Sequence, residues 1–363
     1  MPKKIMKVFA IFLTATLSLN AANSKEDILI SADEAIKLVG KEGVVFVTGD
    51  SDTTYELGHI KGSVEMYAHH LHHSDIMGNM ACAPLFRCKE DAERYIGSKG
   101  IDNDTFIIAY DDFKGPNATG VYAFFKSYGH EKIKILDGGR AAMMKADPQQ
   151  QIYNDLKKKY RAIKKEFKKL KKAKADRAQI DAKKEEMKKA KQAMKDQEKN
   201  LIVVKGKEPK IEPKKYVIDM SKIDHSWIAD KEDVKRAVDD ILKNGNKSKY
   251  AVIDTRGMIE IIGQRKMDNV ARGGHIPGSK FIEWKNFTDF KNKLSFKDLE
   301  EMQEVFDRYG VRKDQIVYAY CQVGAGRSTE IVTALKMLGY KNAKVYTGSW
   351  DEWGNDMNLP IRR

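Results

Sequence analysis

At 363 residues, 42% hydrophobic and 33% charged, the chain is long enough for two domains with separate cores, at roughly 100–200 residues each, and it fits a soluble protein. Its net charge of +14 looks like that of a nucleic-acid binder, but residues 157–199 alone hold 17 Lys and 2 Arg against 7 Asp or Glu, a local charge of +12. Subtracting this from +14 leaves +2 for the rest, so the folded parts are nearly neutral. Without regularly interleaved aromatics in the basic stretch, no nucleic-acid partner is expected.

Residues 1–22 read as an export signal: Lys3, Lys4 and Lys7 give a basic start, Val8 to Leu19 an apolar run, and Asn20-Ala21-Ala22 a small-residue end. The run is about 12 residues, short of the roughly 20 that span a bilayer. Cleavage after Ala21 or Ala22 and a periplasmic or secreted mature protein are therefore expected, an uncleaved anchor helix being the alternative. Only Cys82, Cys88 and Cys321 occur. The first two are close enough in sequence to pair locally, which leaves Cys321 as a reactive thiol.

The mature chain repeats itself. Phe106-Ile-Ile-Ala-Tyr-Asp111, followed by Gly129-His130 and Leu136-Asp137-Gly138-Gly139, matches Ile316-Val-Tyr-Ala-Tyr-Cys321, Gly339-Tyr340 and Tyr346-Thr347-Gly348-Ser349 at a constant offset of 210. Gly58-His59-Ile60-Lys61-Gly62-Ser63 likewise matches Gly274-His275-Ile276-Pro277-Gly278-Ser279. Two copies of one domain are expected, at 23–148 and 216–363. In the second, Tyr250 to Ile253, Gln315 to Tyr320 and Ala343 to Tyr346 read as strands, and Leu299 to Tyr309 and Ser328 to Leu338 as helices. The alternation predicts an α/β fold, each domain a mainly parallel sheet flanked by helices, with ligands at the carboxyl ends of the strands.

In the first copy, His69-His70-Leu71-His72-His73 precedes Cys82 and Cys88. These side chains suit copper or zinc, but the spacing matches no standard zinc pattern, so a polar surface loop is the plainer account and no metal is assigned. Between the copies, 149–215 is a Lys-rich helical linker. Ile152, Leu156, Tyr160, Ile163, Phe167 and Leu170 follow a helical period, and the apolar face then thins to Ile180, Met187 and Met194. One long helix or a helical hairpin would satisfy this pattern. A solvated basic arm is the plain account; self-association or contact with a membrane surface through 149–199 is the alternative.

Cys321-Gln322-Val323-Gly324-Ala325-Gly326-Arg327-Ser328-Thr329 follows a strand and opens a helix. Backbone N–H groups of such a turn form a nest, and the helix N-terminus adds partial positive charge, so an anion or a thiolate is favoured there. Gly324 and Gly326 permit the tight backbone, Arg327 supplies a fixed cation, and Ser328 is placed as helix cap and as a donor to the sulfur.

With this loop, Asp254-Thr255-Arg256, Arg272-Gly-Gly-His275-Ile-Pro-Gly278-Ser279 and Tyr346-Thr-Gly-Ser349-Trp350-Asp-Glu-Trp353-Gly354, the chain resembles the two-domain rhodanese family of thiosulfate and mercaptopyruvate sulfurtransferases. The resemblance spans 30–148 and 216–363 and omits the basic segment. It implies a persulfide on Cys321 held by the amides of Gln322 to Arg327, with Asp254, Arg256, Arg272 and His275 beside the site. A buried Asp254–Arg256 ion pair and a fixed turn at His275 are the structural alternative. The resemblance also implies an inactive first domain, and Asp111 and Asn117 indeed stand at the positions of Cys321 and Arg327. Two features depart from the family pattern. Glu260 stands where many thiosulfate-using members carry a second arginine, which throws anion binding onto Arg327, Arg256, Arg265 or Arg272. The interval from Cys321 to Arg327 is one residue longer than the short family loop, and so resembles the phosphate cradle of tyrosine phosphatases and arsenate reductases.

Sulfur transfer from thiosulfate or polysulfide through Cys321 to cyanide, a thiol or an acceptor protein is thus expected, with no cofactor. A cysteine-dependent phosphatase or arsenate reductase and a non-catalytic sulfur carrier are the alternatives.

Overall fold

The computed structural model describes residues 25–112, 115–291 and 295–363; the segment read as an export signal lies outside them. Two five-stranded sheets form, and every pairing within them is parallel. In the first, the spatial order is Leu29–Ile30, Ile133–Leu136, Phe106–Tyr110, Val44–Thr48, Val64–Glu65. In the second it is Ile228–Ala229, Ala343–Tyr346, Ile316–Tyr320, Tyr250–Asp254, Lys280–Phe281. The two orders are the same, as the repeat predicts. Central strands are buried on both faces, which is why they read as unbroken apolar runs. Along Ile316–Tyr320, Val317 and Ala319 face one core while Tyr318 and Tyr320 face another.

Five helices build the domain interface, the site and the basic arm: α1 (Asn117–Ser127), α2 (Pro148–Lys172), α3 (Arg177–Glu198), α4 (Arg327–Met337) and α5 (Ser349–Asn355). Helices α1 and α4, equivalent in the repeat, pack on each other at the centre of the molecule. Thr119 Oγ1 lies 2.9 Å from Thr329 Oγ1, and these residues are 210 apart, so the pseudo-two-fold axis passes between them. A Cβ on Gly120 would lie only 2.9 Å from Ala68 Cβ and 3.1 Å from the Gly326 nitrogen; a glycine is what lets the two halves approach. One hydrophobic core runs through both halves, with Tyr122 edge-on to Trp227 at 5.6 Å.

The basic segment is a hairpin. Helices α2 and α3, about 37 and 33 Å long at 1.5 Å per residue, are joined by a short turn in which Lys174 takes φ 51°. Ile163 is buried in the seam, and Leu156, Tyr160, Phe167, Leu170, Ile180, Met187 and Met194 are partly covered. Each helix thus partly covers the other's apolar stripe. Ile152, expected on that stripe, faces solvent, and Tyr153 is turned inward in its place. The feet are clamped: Gln197 Nε2 donates to the Gln149 carbonyl at 3.1 Å, and the Ile202 amide to Asp147 at 3.1 Å. Beyond the hairpin the chain does not run free to the second domain. Val203–Val204 pairs antiparallel with His59–Ile60, Glu208 meets Lys99 at 2.9 Å and the Lys214 amide donates to Gly97. The part of the expected linker after the hairpin is therefore laid onto the first domain. Among the described residues no helix is long and apolar enough to cross a membrane.

Candidate active site

Cys321 ends the central strand Ile316–Tyr320 of the second sheet and leads into the turn before α4. It is 1% exposed and is a free thiol, whereas Cys82 and Cys88 form a disulfide. The turn is fixed on several sides. A Cβ on Gly324 (φ 72°) would lie 2.2 Å from the Thr347 carbonyl oxygen, so only glycine fits. The side chain of Gln322 donates to Asp351 at 2.6 Å, and the Asp351 amide returns a bond to the Gln322 carbonyl at 2.9 Å. Ala325 is buried, and its carbonyl oxygen lies 3.9 Å from Cys321 Sγ. The amides of Val323, Gly324 and Ala325 have no backbone acceptor among the described residues outside regular structure. The Gly326 amide does not serve an anion: it donates to Thr329 Oγ1 at 3.0 Å. The helix opens at Arg327, one residue earlier than expected, so Ser328 is not its cap. Ser328 is instead buried in the first turn, and its hydroxyl donates to Cys321 Sγ at 3.4 Å.

The first domain explains the geometry by contrast. Asp111 occupies the position of Cys321, and its carboxylate accepts the Asn117 and Ala118 amides at 3.0 and 3.2 Å. A side-chain anion thus fills the mouth of α1, as helix N-termini favour. The equivalent amides of α4 belong to Arg327 and Ser328, and there the resident group is a sulfur. One helix mouth is filled by its own carboxylate; the other carries a free thiol.

Arg327 stands at the lip, its side chain 23% exposed. Glu260 holds it in a fork, at 2.7 and 3.2 Å, and Glu260 also meets Arg265 at 3.1 Å. Burial alone would lower the Arg327 pKa, but the Glu260 hydrogen bonds and the nearby Cys321 sulfur raise it above its ordinary value. Burial would conversely raise Glu260, but Arg327, Arg256 and Arg265 hold its carboxyl below the usual range. Glu260, expected to repel an anion, instead orients the arginine that would bind one. Arg265 is the exposed outer member of this trio.

Four residues expected beside the sulfur bond the framework of the second domain. Arg256 is buried, with Nε and Nη2 on the two Asp254 oxygens at 3.0 and 2.7 Å, Nη2 also on the Gly274 carbonyl at 2.7 Å, and its guanidinium stacked 4.5 Å from the Trp350 ring centre. Asp254 accepts the Tyr320 hydroxyl as well, at 2.6 Å. Arg272 donates to the carbonyls of Trp353, Gly354, Asp356 and Leu359, closing the C-terminal end of α5. His275 bonds the Ile261 carbonyl at 3.0 Å and packs edge-on to Phe281. In these contacts Asp254, Arg256 and Arg272 brace the second domain, and half-buried His275 does so through Nδ1.

Sequence reasoning missed contributors from two places. Ser349 Oγ accepts the Cys321 amide at 3.1 Å and donates to the Tyr346 carbonyl at 2.8 Å. It adopts φ 49°, uncommon for a non-glycine residue, and its counterpart Gly139 has φ 55°. The repeat alignment held this signal, since a left-handed glycine position filled by serine calls for a reason. The first domain supplies the rest. His69, Pro116 and Asn117 close over Gly326, with His69 Nε2 3.8 Å and Asn117 Oδ1 3.7 Å from where its Cβ would stand. His72 bonds the Thr347 carbonyl at 2.9 Å, the same oxygen that hems in Gly324, and Ser74 at 2.8 Å, while His73 faces Asp91 at 3.4 Å. Among the described residues, no three metal-binding side chains converge.

Two parallel sheets of the same strand order, one of them leading into a turn with a free cysteine, define a duplicated α/β domain pair. The model of the rhodanese-like domain matches residues 31–146 and 237–356, more than half of the chain, and the chain belongs to the rhodanese-like domain family. It is 28% identical over 345 residues to a protein of Saccharopolyspora erythraea named "Putative thiosulfate sulfurtransferase", covering 93% of this chain and 97% of that one. It is 24% identical over 345 residues to the "Sulfur carrier protein TtuD" of Thermus thermophilus, covering 93% and 97%. Among solved structures, an anaerobic ergothioneine biosynthesis enzyme from Chlorobium limicola, in complex with trimethyl histidine, superposes with a TM-score of 0.63 at 18% identity, over 93% of this chain and 70% of that one. At that identity the likeness is one of fold. By family the protein is a sulfurtransferase.

Proposed function

We propose that the protein takes a sulfane sulfur from thiosulfate onto Cys321 and passes it to a thiophilic acceptor, cyanide or a thiol, free or on a carrier protein. The observation that carries this is the environment of Sγ: a buried free thiol before a helix that opens on Arg327, receiving the Ser328 hydroxyl at 3.4 Å. The Cys321 thiolate attacks the outer sulfur of the donor, a new S–S bond forms, and the donor's own S–S bond breaks with its electron pair leaving on sulfite. The acceptor thiolate then attacks the outer sulfur of the persulfide and releases Cys321 as thiolate. The names of the relatives support thiosulfate as the first donor to try, and the carrier relative supports a protein acceptor.

A phosphatase in the same cradle would need a general acid for the leaving oxygen. Glu260 is held ionised by its arginines, and Asp351 is tied to Gln322; neither suits that task. Thiocyanate formation from thiosulfate and cyanide, assayed beside p-nitrophenyl phosphate hydrolysis, separates the two. Thiocyanate without nitrophenol is expected, and nitrophenol alone would refute sulfur transfer.

We further propose that the protein works outside the cytoplasm. The Cys82–Cys88 disulfide supports an oxidising compartment, in keeping with the basic and apolar start of the chain.

A further inference from the structure

We propose that His69, contributed by the otherwise inactive first domain, is a specificity-determining residue that donates a hydrogen bond from Nε2 to the oxyanion head of the sulfur donor. The inference rests on sulfur transfer through Cys321 and names the class of donor that the site selects.

His69 sits on the short helix Ala68–Leu71, whose Ala68 packs against Gly120 and so against the start of α4. This fixes the imidazole over Gly326, next to Arg327. Its Nδ1 lies 3.2 Å from the Tyr67 hydroxyl, and the two rings stack at 5.0 Å. A phenol donating to Nδ1 would leave the ring proton on Nε2, the nitrogen that faces Gly326, and this tautomer is part of the proposal. The residue stays more than a third open to solvent, so an incoming anion reaches it. Asn117 flanks the same spot, and its Nδ2 is anchored on Asp50 at 3.4 Å.

The charge state fits a donor that lets go. Crowding by protein, with Arg327, His70 and His72 nearby, pushes His69 down to about 4, so the ring is neutral near pH 7. Glu260 already balances much of the Arg327 charge. The mouth therefore offers one compensated guanidinium and a neutral N–H, which bind a sulfonate head without trapping the sulfite it becomes. In the step itself the Cys321 thiolate bonds the outer sulfur, the donor S–S bond breaks, and sulfite departs with the electron pair. His69 keeps its proton throughout and only holds an oxygen of the leaving group. Inorganic polysulfide has no such oxygen, and sulfur is a weak acceptor, so His69 has little to hold there.

The test uses the full purified chain and measures the rate of persulfide formation with thiosulfate and, separately, with inorganic polysulfide. His69→Ala is expected to raise KM for thiosulfate about ten-fold, the equivalent of one hydrogen bond to a charged group, and to leave polysulfide within about two-fold. His69→Gln, which keeps an N–H donor, should recover most of the loss, and Tyr67→Phe should give a smaller rise in KM. An equal change for both donors would mark His69 as merely structural, and no change for either would also overturn the proposal, as would a wild type that loads from polysulfide but not from thiosulfate. A wild type loaded by neither donor would instead remove the sulfur-transfer reading, and this inference with it.

Discussion

The residues closest to the sulfur divide into those that touch the reacting atoms and those that aim them. In the proposed reaction Cys321 and Ser328, whose hydroxyl donates to Sγ, belong to the first group, and Glu260 and Ser349 to the second. Glu260 was expected to weaken anion binding by repulsion; its fork on Arg327 makes it a positioning residue. Removing its charge has two opposed effects. In Glu260→Gln the lip gains a net positive charge, which favours a dianion, but Arg327 loses its anchor, and breaking a partly buried pair costs about 1–3 kcal/mol. We expect a lower melting temperature together with a KM for thiosulfate that rises by about three-fold, as follows if the anchor matters more than the charge. A KM that instead falls, most of all at low salt, would show that repulsion outweighs orientation. The contribution of Cys321, Arg327 and the two glycines was legible in sequence because all lie in one short turn. The pairing of Glu260 with Arg327, 67 residues apart, was not, because a charge pair across the fold leaves no periodic trace.

Among the elements, strands were legible almost to the residue. Apolar runs buried on both faces and bounded by turns have few other ways to fold, and the predicted Ala343 to Tyr346 is the strand observed. Helical periodicity placed α2 and α3 but not every member of their seam: Tyr153 displaces Ile152, because the helix must also bury its first turn against the foot of α3. The hairpin returns to where it left, with Gln149 and Gln197 in contact. Closing that gap with a short Gly/Ser turn therefore costs little loop entropy. Replacing residues 151–196 in this way is expected to leave thiocyanate formation within about two-fold of wild type. A loss of about ten-fold or more would mean that the basic arm takes part in turnover, for example by steering anions to the mouth.

Across the whole molecule, the two domains act as one body because α1 and α4 share an interface on the pseudo-two-fold axis. Glu330, on α4, is buried there and accepts the Thr288 hydroxyl at 2.9 Å. Burial pushes its pKa up to about 7, against an ordinary value of 4.5. Between these two pH values the unfolded chain releases the proton that the folded chain keeps, so stability falls as pH rises through that window and levels off above it. Glu330→Gln, neutral and nearly isosteric, should be more stable than wild type at pH 8 by about 1–3 kcal/mol and no different near pH 4.5, as read from urea midpoints. An equal gap at both pH values would place the effect in packing alone. The repeat made the duplication plain in sequence, and Asp111 the lack of a cysteine at that position of the first half. What the sequence withheld was that the first half leans over the Cys321 turn and brings His69 and Asn117 to it, since contacts across a pseudo-two-fold join residues with no shared pattern. In the proposed cycle the sulfur rides on Cys321, which is tested by the intact and peptide mass of the protein after thiosulfate treatment and removal of excess donor. One added sulfur atom is expected on the Cys321 peptide of wild type, removed by cyanide, and none on Cys321→Ser; an unmodified Cys321 in wild type, or the same added mass in the variant, would contradict sulfur transfer through this residue.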